Sequence, residues 1–254
     1  MLFYFCFVGE YFSRFITTIT VTVQQPHNSS NQISYVANFN QLVNTPFKDA
    51  VNALCWPRHL QGDFAEIVNK VPLHSHMVEL SEEQLLALDL SPQGQVARHI
   101  ILQDIQLLQA HGALPVLNLI KHYEQDDANP FFPTDVYSFH VDRSPVPTDT
   151  FLCTYYGDAS EILPNAQAEQ KVLVPEIRAE LEKLHGGNDA DFDDFLTEHF
   201  FDLHYRAKPQ AHIVKMETGH VWRLAVDHPQ SAVLPCIHRA PRELSGHTRL
   251  LLIC

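Results

Sequence analysis

His140 and Asp142, within Tyr137-Ser138-Phe139-His140-Val141-Asp142-Arg143, set an imidazole and a carboxylate two residues apart. The stretch reads as a strand, on which side chains two apart share a face. His140 and Asp142 then point the same way, beside Ser138 and Val136, while Tyr137, Phe139 and Val141 turn to an apolar face. Such a pair can close on one metal ion if a third ligand arrives from elsewhere. The best candidate is His238, in Leu234-Pro235-Cys236-Ile237-His238-Arg239-Ala240-Pro241. Arg249 follows eleven residues later, a cation in an otherwise apolar run that ends at Ile253. Two histidines, one carboxylate and a late arginine are the donor set of an open iron site with an anion clamp beside it.

Each of these residues also has a plainer role. Asp142 could cap the turn at Arg143-Ser144-Pro145 while both histidines simply pack. Arg249 could clamp a carboxylate such as the distal end of 2-oxoglutarate. It could equally pair with one of the 30 acidic side chains, because a buried charge needs a partner. Ser138 shares the face of His140 and Cys236 that of His238, so both are candidates to line a pocket. Cys236 could also serve as a fourth, soft ligand that favours zinc, or as a small buried hydrophobe. Arg239, the competing cation, points away from the face of His238.

The remaining polar clusters carry less chemistry. His74-Ser75-His76 and the pair His199 and His204 miss the three- or four-residue spacing of helix-borne ligands and read as structural or surface residues. The acidic run Asn188 to Asp194 lacks the central glycine and terminal glutamate of a calcium loop, and suits a helix start instead. No P-loop, GxSxG elbow or GxGxxG turn occurs. The five cysteines (Cys6, Cys55, Cys153, Cys236, Cys254) form no CxxC pair, so a reducing cytoplasm is the simpler expectation. A formal charge of -13 argues against a nucleic acid or an anionic membrane as the main partner.

The elements that must position these residues fall into three blocks. Residues 1–31 form an extension with an apolar start at Met1 to Gly9, an alternation at Ile19, Val21 and Val23, and a polar linker from Gln24. The start shows no clear basic flank or cleavage site of a secretory signal, so a signal or anchor is the minor expectation beside a start codon placed too early or an extra edge strand. Residues 32–112 read as mainly helical. Asp63 to Val71 puts Phe64, Ile67 and Val68 on one side, and Ser81-Glu82-Glu83-Gln84 is a capping box. Ser91-Pro92 starts a helix that carries Ala97, Ile101, Ile105 and Leu108 before Gly112 ends it.

Residues 113–254 read as seven strands: Val116 to Tyr123, Val136 to Asp142, Thr150 to Tyr156, His212 to Glu217, Val221 to Val226, Ala232 to His238 and Arg249 to Ile253. A helical insertion, Pro175 to Leu184 and Ala190 to His204, separates the third from the fourth. The expected fold is α+β, an antiparallel jelly-roll (double-stranded β-helix) barrel with the early helices over one outer face.

From Phe139 to Thr150 and from Leu152 to Gly157 the chain resembles domain-of-unknown-function family 1826, an uncharacterised bacterial family. The likeness continues at Leu163-Pro164-Asn165, at Val174 to Arg178, at Ile237 to Pro241 and at Arg249 to Leu252, and Ala53 to Arg58 fits the family's early tryptophan-arginine segment. It runs from Gln32 to the end of the chain. The family has no established activity, but its members are often encoded among zinc-starvation genes, so the resemblance implies metal biology without naming the metal. Through His140, Asp142, His238 and Arg249 the chain more loosely resembles the Fe(II)/2-oxoglutarate oxygenases. The proline-rich turn Ser144-Pro145-Val146-Pro147 after His140 and Asp142 is not a mark of that superfamily. The resulting expectation is an Fe(II)- and 2-oxoglutarate-dependent dioxygenase. Its rivals are a zinc-binding buffer or hydrolase on the same residues, and a non-catalytic interaction domain.

Overall fold

The computed structural model describes residues 31–187, 189–242 and 247–254. The apolar start, the alternation at Ile19 to Val23 and nearly all of the polar linker lie outside them. In chain order the strands are β1 (Ile33–Tyr35), β2 (Ala53–Trp56), β3 (Met77–Leu80), β4 (Val116–Ile120), β5 (Phe139–His140), β6 (Asp149–Tyr156), β7 (Glu161–Ile162), β8 (Ala168–Gln170), β9 (His204–Ala207), β10 (Val214–Lys215), β11 (Val221–Ala225), β12 (His238–Arg239) and β13 (Arg249–Ile253). The α-helices are α1 (Phe39–Asn44), α2 (Phe64–Lys70), α3 (Glu82–Ala87), α4 (Pro92–Ala110), α5 (Pro175–His185) and α6 (Phe192–Glu198).

The strands form two sheets, so the molecule is α+β. One sheet has seven strands in the order β1-β2-β11-β6-β13-β4-β3, and the other six in the order β10-β7-β12-β5-β9-β8. Pairing is antiparallel except between β1 and β2. Period-two alternation gives the larger sheet two working faces. Phe151, Cys153 and Tyr155 of β6, with Leu250 and Leu252 of β13, pack among Ile67 and Val68 of α2, Leu85 of α3, and Ala97, Ile101, Ile105 and Leu108 of α4. The other face carries Leu152, Trp222, Leu224 and Leu251, which join Ile162 of the smaller sheet and Cys236, just ahead of β12, in a second core. Each such side chain, fully buried, contributes about 1.5–3 kcal/mol before chain entropy is set against it.

The local helix signals hold. Asp63 Oδ1 accepts from the Glu66 amide and caps α2. Ser81 and Gln84 close their capping box, Ser91 and Pro92 start α4, and Gly186, at a φ of 59°, stops α5.

Residues 32–112 hold α1 to α4, and β1, β2 and β3 within the same span join the larger sheet through long-range pairing. Two expectations need correction. The span Ala190 to His204 does not run as one helix: Phe200 takes a positive φ of 61°, and His204 begins β9. Several strands are shorter than their alternation suggests. Val136 to Ser138 is held in a turn by Asp135, whose side chain and carbonyl accept from the Tyr137 and Ser138 amides. Ala232 to Ile237 pairs little, because the Leu234 and Pro235 carbonyls accept from the Asn52 side chain. Among the described residues, no helix is long and apolar enough to cross a membrane.

Candidate metal centre

The smaller sheet brings three histidines into one row. His238 of β12 pairs with His140 of β5, and His140 pairs with His204 of β9. Residues directly opposite on neighbouring strands project from the same face. His238 also lies opposite Ile162, which belongs to the core between the sheets, so the row faces that interior.

Asp142 sits two residues past His140, outside the ladder. Its carbonyl accepts from the Asp227 amide, and this tether holds its carboxylate over the row. Asp142 Oδ1 lies 3.8 Å from His140 Nε2, and Asp142 Oδ2 lies 3.6 Å from His238 Nε2. The donor atoms of all three residues fall within 4.8 Å of one another, the one such His/Cys/Asp/Glu group among the described residues. Donors about an ion with bonds of about 2.1 Å stand some 3 to 4 Å apart, so the set fits a metal after a small contraction.

Hydrogen bonding fixes both imidazoles in the ligand form. His140 Nδ1 lies 2.8 Å from the Ser138 carbonyl oxygen, and His238 Nδ1 lies 3.2 Å from that of Cys236. A carbonyl only accepts, so both protons sit on Nδ1 and both Nε2 lone pairs turn to Asp142. This is the outer-shell device that orients metal-binding histidines. Burial, with the neighbouring His238, pulls the His140 pKa down to about 4, so its ring is neutral near pH 7. Burial alone would raise the Asp142 pKa, but His238, the Thr150 hydroxyl and His140 outweigh it and the net direction is down. Thr150 Oγ1 donates to Asp142 Oδ2 at 2.5 Å.

A cavity of about 250 Å³ opens onto the centre, lined by His140, Asp142 and His204 with Arg143, Phe200 and Leu203. Arg143 is held at its rim by Asp202 and Asp227.

Arg249 is 1% exposed and stands on the face of β13 that carries Leu251, toward the smaller sheet. Its guanidinium donates to Thr154 Oγ1 at 3.2 Å and Ser160 Oγ at 2.6 Å. Ser160 precedes β7 by one residue, so it lies about 6.6 Å along the chain from Ile162, the residue opposite His238. Arg249 thus reaches the interior on the same side as the triad.

The other candidates sort differently. Ser138 orients His140 through its carbonyl, but its hydroxyl accepts from Lys171 Nζ at 2.7 Å and lines a separate cavity of about 720 Å³. Cys236 is buried in the inter-sheet core, and burial pushes its thiol pKa well up. It is not part of the ligand group; its carbonyl is what serves His238. Arg239 turns to the opposite face, paired with Glu161 and 4.2 Å over the Phe139 ring. His204 is the residue that the sequence reading placed elsewhere. Read as a helix end it shares no face with His140; the alternation of His204-Tyr205-Arg206-Ala207 was the available signal. Comparison with protein-family models, curated proteins and solved structures found no match, so the two resemblances rest on the residues that carry them.

Proposed function

We propose that this chain is a metal-dependent enzyme of the Fe(II)/2-oxoglutarate oxygenase type, with its two sheets arranged as a jelly roll. In this reading His140, Asp142 and His238 hold the metal and Arg249 anchors a carboxylate of the keto acid. One observation carries it. Two imidazoles, His238 buried and His140 half-buried, each tied through Nδ1 to the carbonyl two residues before, converge through Nε2 on one carboxylate beside a cavity.

Iron(II) in such a site supplies the redox and oxygen chemistry that side chains lack. The protein's share is geometric and electrostatic. His140 and His238 would hold the ion through Nε2, and Asp142, aligned by Thr150, would offset part of its charge. Three protein ligands leave coordination positions for other molecules. The Thr154 and Ser160 hydroxyls fix the Arg249 guanidinium, which matches a carboxylate in a two-point contact. Phe200 and Leu203 give the cavity an apolar side.

Metal analysis of protein purified without added metal comes first. Anaerobic addition of Fe(II) and then 2-oxoglutarate should produce a charge-transfer band. Aerobic conversion of 2-oxoglutarate to succinate should require His140 and vanish in His140→Ala. Tightly held zinc with no iron-dependent band would replace the oxygenase reading with a zinc hydrolase or buffer on the same ligands.

A further inference from the structure

We propose that His204 is the residue that hydrogen-bonds an oxygen-donor ligand held at the open side of the His140–Asp142–His238 centre. The assignment rests on the metal reading above and goes beyond it, because His204 is not one of the ligands.

The argument starts from a break in a pattern. His238, His140 and His204 are successive cross-strand neighbours, and the His140 and His204 ring centroids stand 5.9 Å apart. The first two tie Nδ1 to the carbonyl two residues before them. For His204 that carbonyl belongs to Asp202, and the Gln170 side-chain amide donates to it instead. His204 is 4% exposed, and its Nδ1 is fully covered without a hydrogen-bond partner. A covered N–H with no acceptor is rarer in proteins than an unused acceptor position. The proton therefore belongs on Nε2, the opposite tautomer to its two neighbours.

The result is a donor set beside two acceptors. His204 lines the same cavity as His140 and Asp142. Its covered Nδ1 is not the atom that meets an occupant, which leaves the Nε2–H edge to do so. An oxygen donor such as a carboxylate, drawn to the metal, would present a negative oxygen to that N–H, and a charge-assisted bond of this kind is among the stronger ones. His204 would then select oxygen donors that accept over ligands that do not.

Co(II) and formate give the test, since cobalt absorption reports changes among its ligands. Wild type, His204→Gln and the donor-less His204→Phe or His204→Leu should each take up one Co(II) with affinities within about threefold of one another. Leu serves where Phe does not fold. The formate Kd should rise about five- to tenfold in the Phe or Leu protein and less than about threefold in His204→Gln, whose amide retains a donor. Equal formate affinity across the series, or no formate response in wild type, overturns the assignment and leaves the metal centre standing. Loss of Co(II) from the Phe and Leu variants alone would make His204 a ligand, and overturns it as well. Failure of wild type to bind Co(II) removes the metal reading and this assignment together.

Discussion

Two polar clusters, one on the helical face of the larger sheet and one on the inter-sheet face of the smaller, resolve the cost of desolvation in opposite ways. On the helical side, Arg58 donates through both terminal nitrogens to Asp104 of α4 at 2.6 and 2.8 Å. Arg58 Nε donates to the Gly219 carbonyl, its guanidinium lies 4.7 Å over the Trp56 ring, and Tyr155 of β6 donates to Asp104 Oδ2 at 2.7 Å. The Asp104 carboxylate is used up internally, and the cluster fastens the longest helix to the sheet. On the other side, His140, His238 and Asp142 aim their acceptors at one another, and among the described residues Thr150 alone donates into the group. A folded protein keeps such an arrangement at a cost unless a cation completes it. Saturated polar groups mark structure; converging acceptors mark a place for something else.

This contrast can be broken at several points, and the largest effect belongs to the helical side. Asp104→Ala leaves the Arg58 cation buried and should cost about 3–5 kcal/mol of stability by denaturant unfolding. Metal uptake by the folded fraction should be unchanged. If Asp104→Ala were stability-neutral, the cluster would not be the fastening described.

Acid should act on the histidine side. Burial holds the His140 pKa down to about 4 and, with His140 and Lys171 nearby, that of His204 down to about 3. The unfolded chain takes up these protons near pH ~6.5, so it binds more protons than the native state below that point. Metal-free protein should vary little between about pH 7 and 8 and lose stability as pH falls from about 6.5 toward 3, by several kcal/mol in total. Unfolding midpoints across that range measure it, and His204→Phe should flatten part of the slope.

His140→Ala should lower metal affinity by more than about a hundredfold, beyond the usual effect of an outer-shell change. It should move the stability of metal-free protein at pH 7 far less than Asp104→Ala does. Added metal should raise the unfolding midpoint of wild type and leave that of the variant in place. The smallest effect is expected from Thr150→Val, which keeps shape and removes the donor to Asp142. A loss of about tenfold in metal affinity, read by competition with a chelator, would match an outer-shell role.

Parts of this arrangement were legible in the sequence for a physical reason. Helix starts at Asp63, Ser81 and Ser91 depend on a few consecutive residues, and each acts where it was read. His140 and Asp142 are two apart, so even a strand that stops at His140 leaves them side by side. Strand lengths were less legible, because side chains such as Asp135 and Asn52 occupy backbone groups that a ladder would use. Arg58 belonged to a recognisable segment, yet its partner Asp104 lies 46 residues away and no spacing rule links them.

The sequence by itself determined the donor chemistry: two histidines, a carboxylate and a late arginine, set in alternating apolar runs that must be buried. Which imidazoles become neighbours was decided only by tertiary structure. β12 meets β5, and β5 meets β9, through pairings that span the helical insertion. That same folding gave the Asp202 carbonyl to Gln170 and so separated His204 from its two look-alikes. Cross-strand partners are chosen by the burial of whole sheet faces, a sum over many distant residues, and no local pattern encodes it.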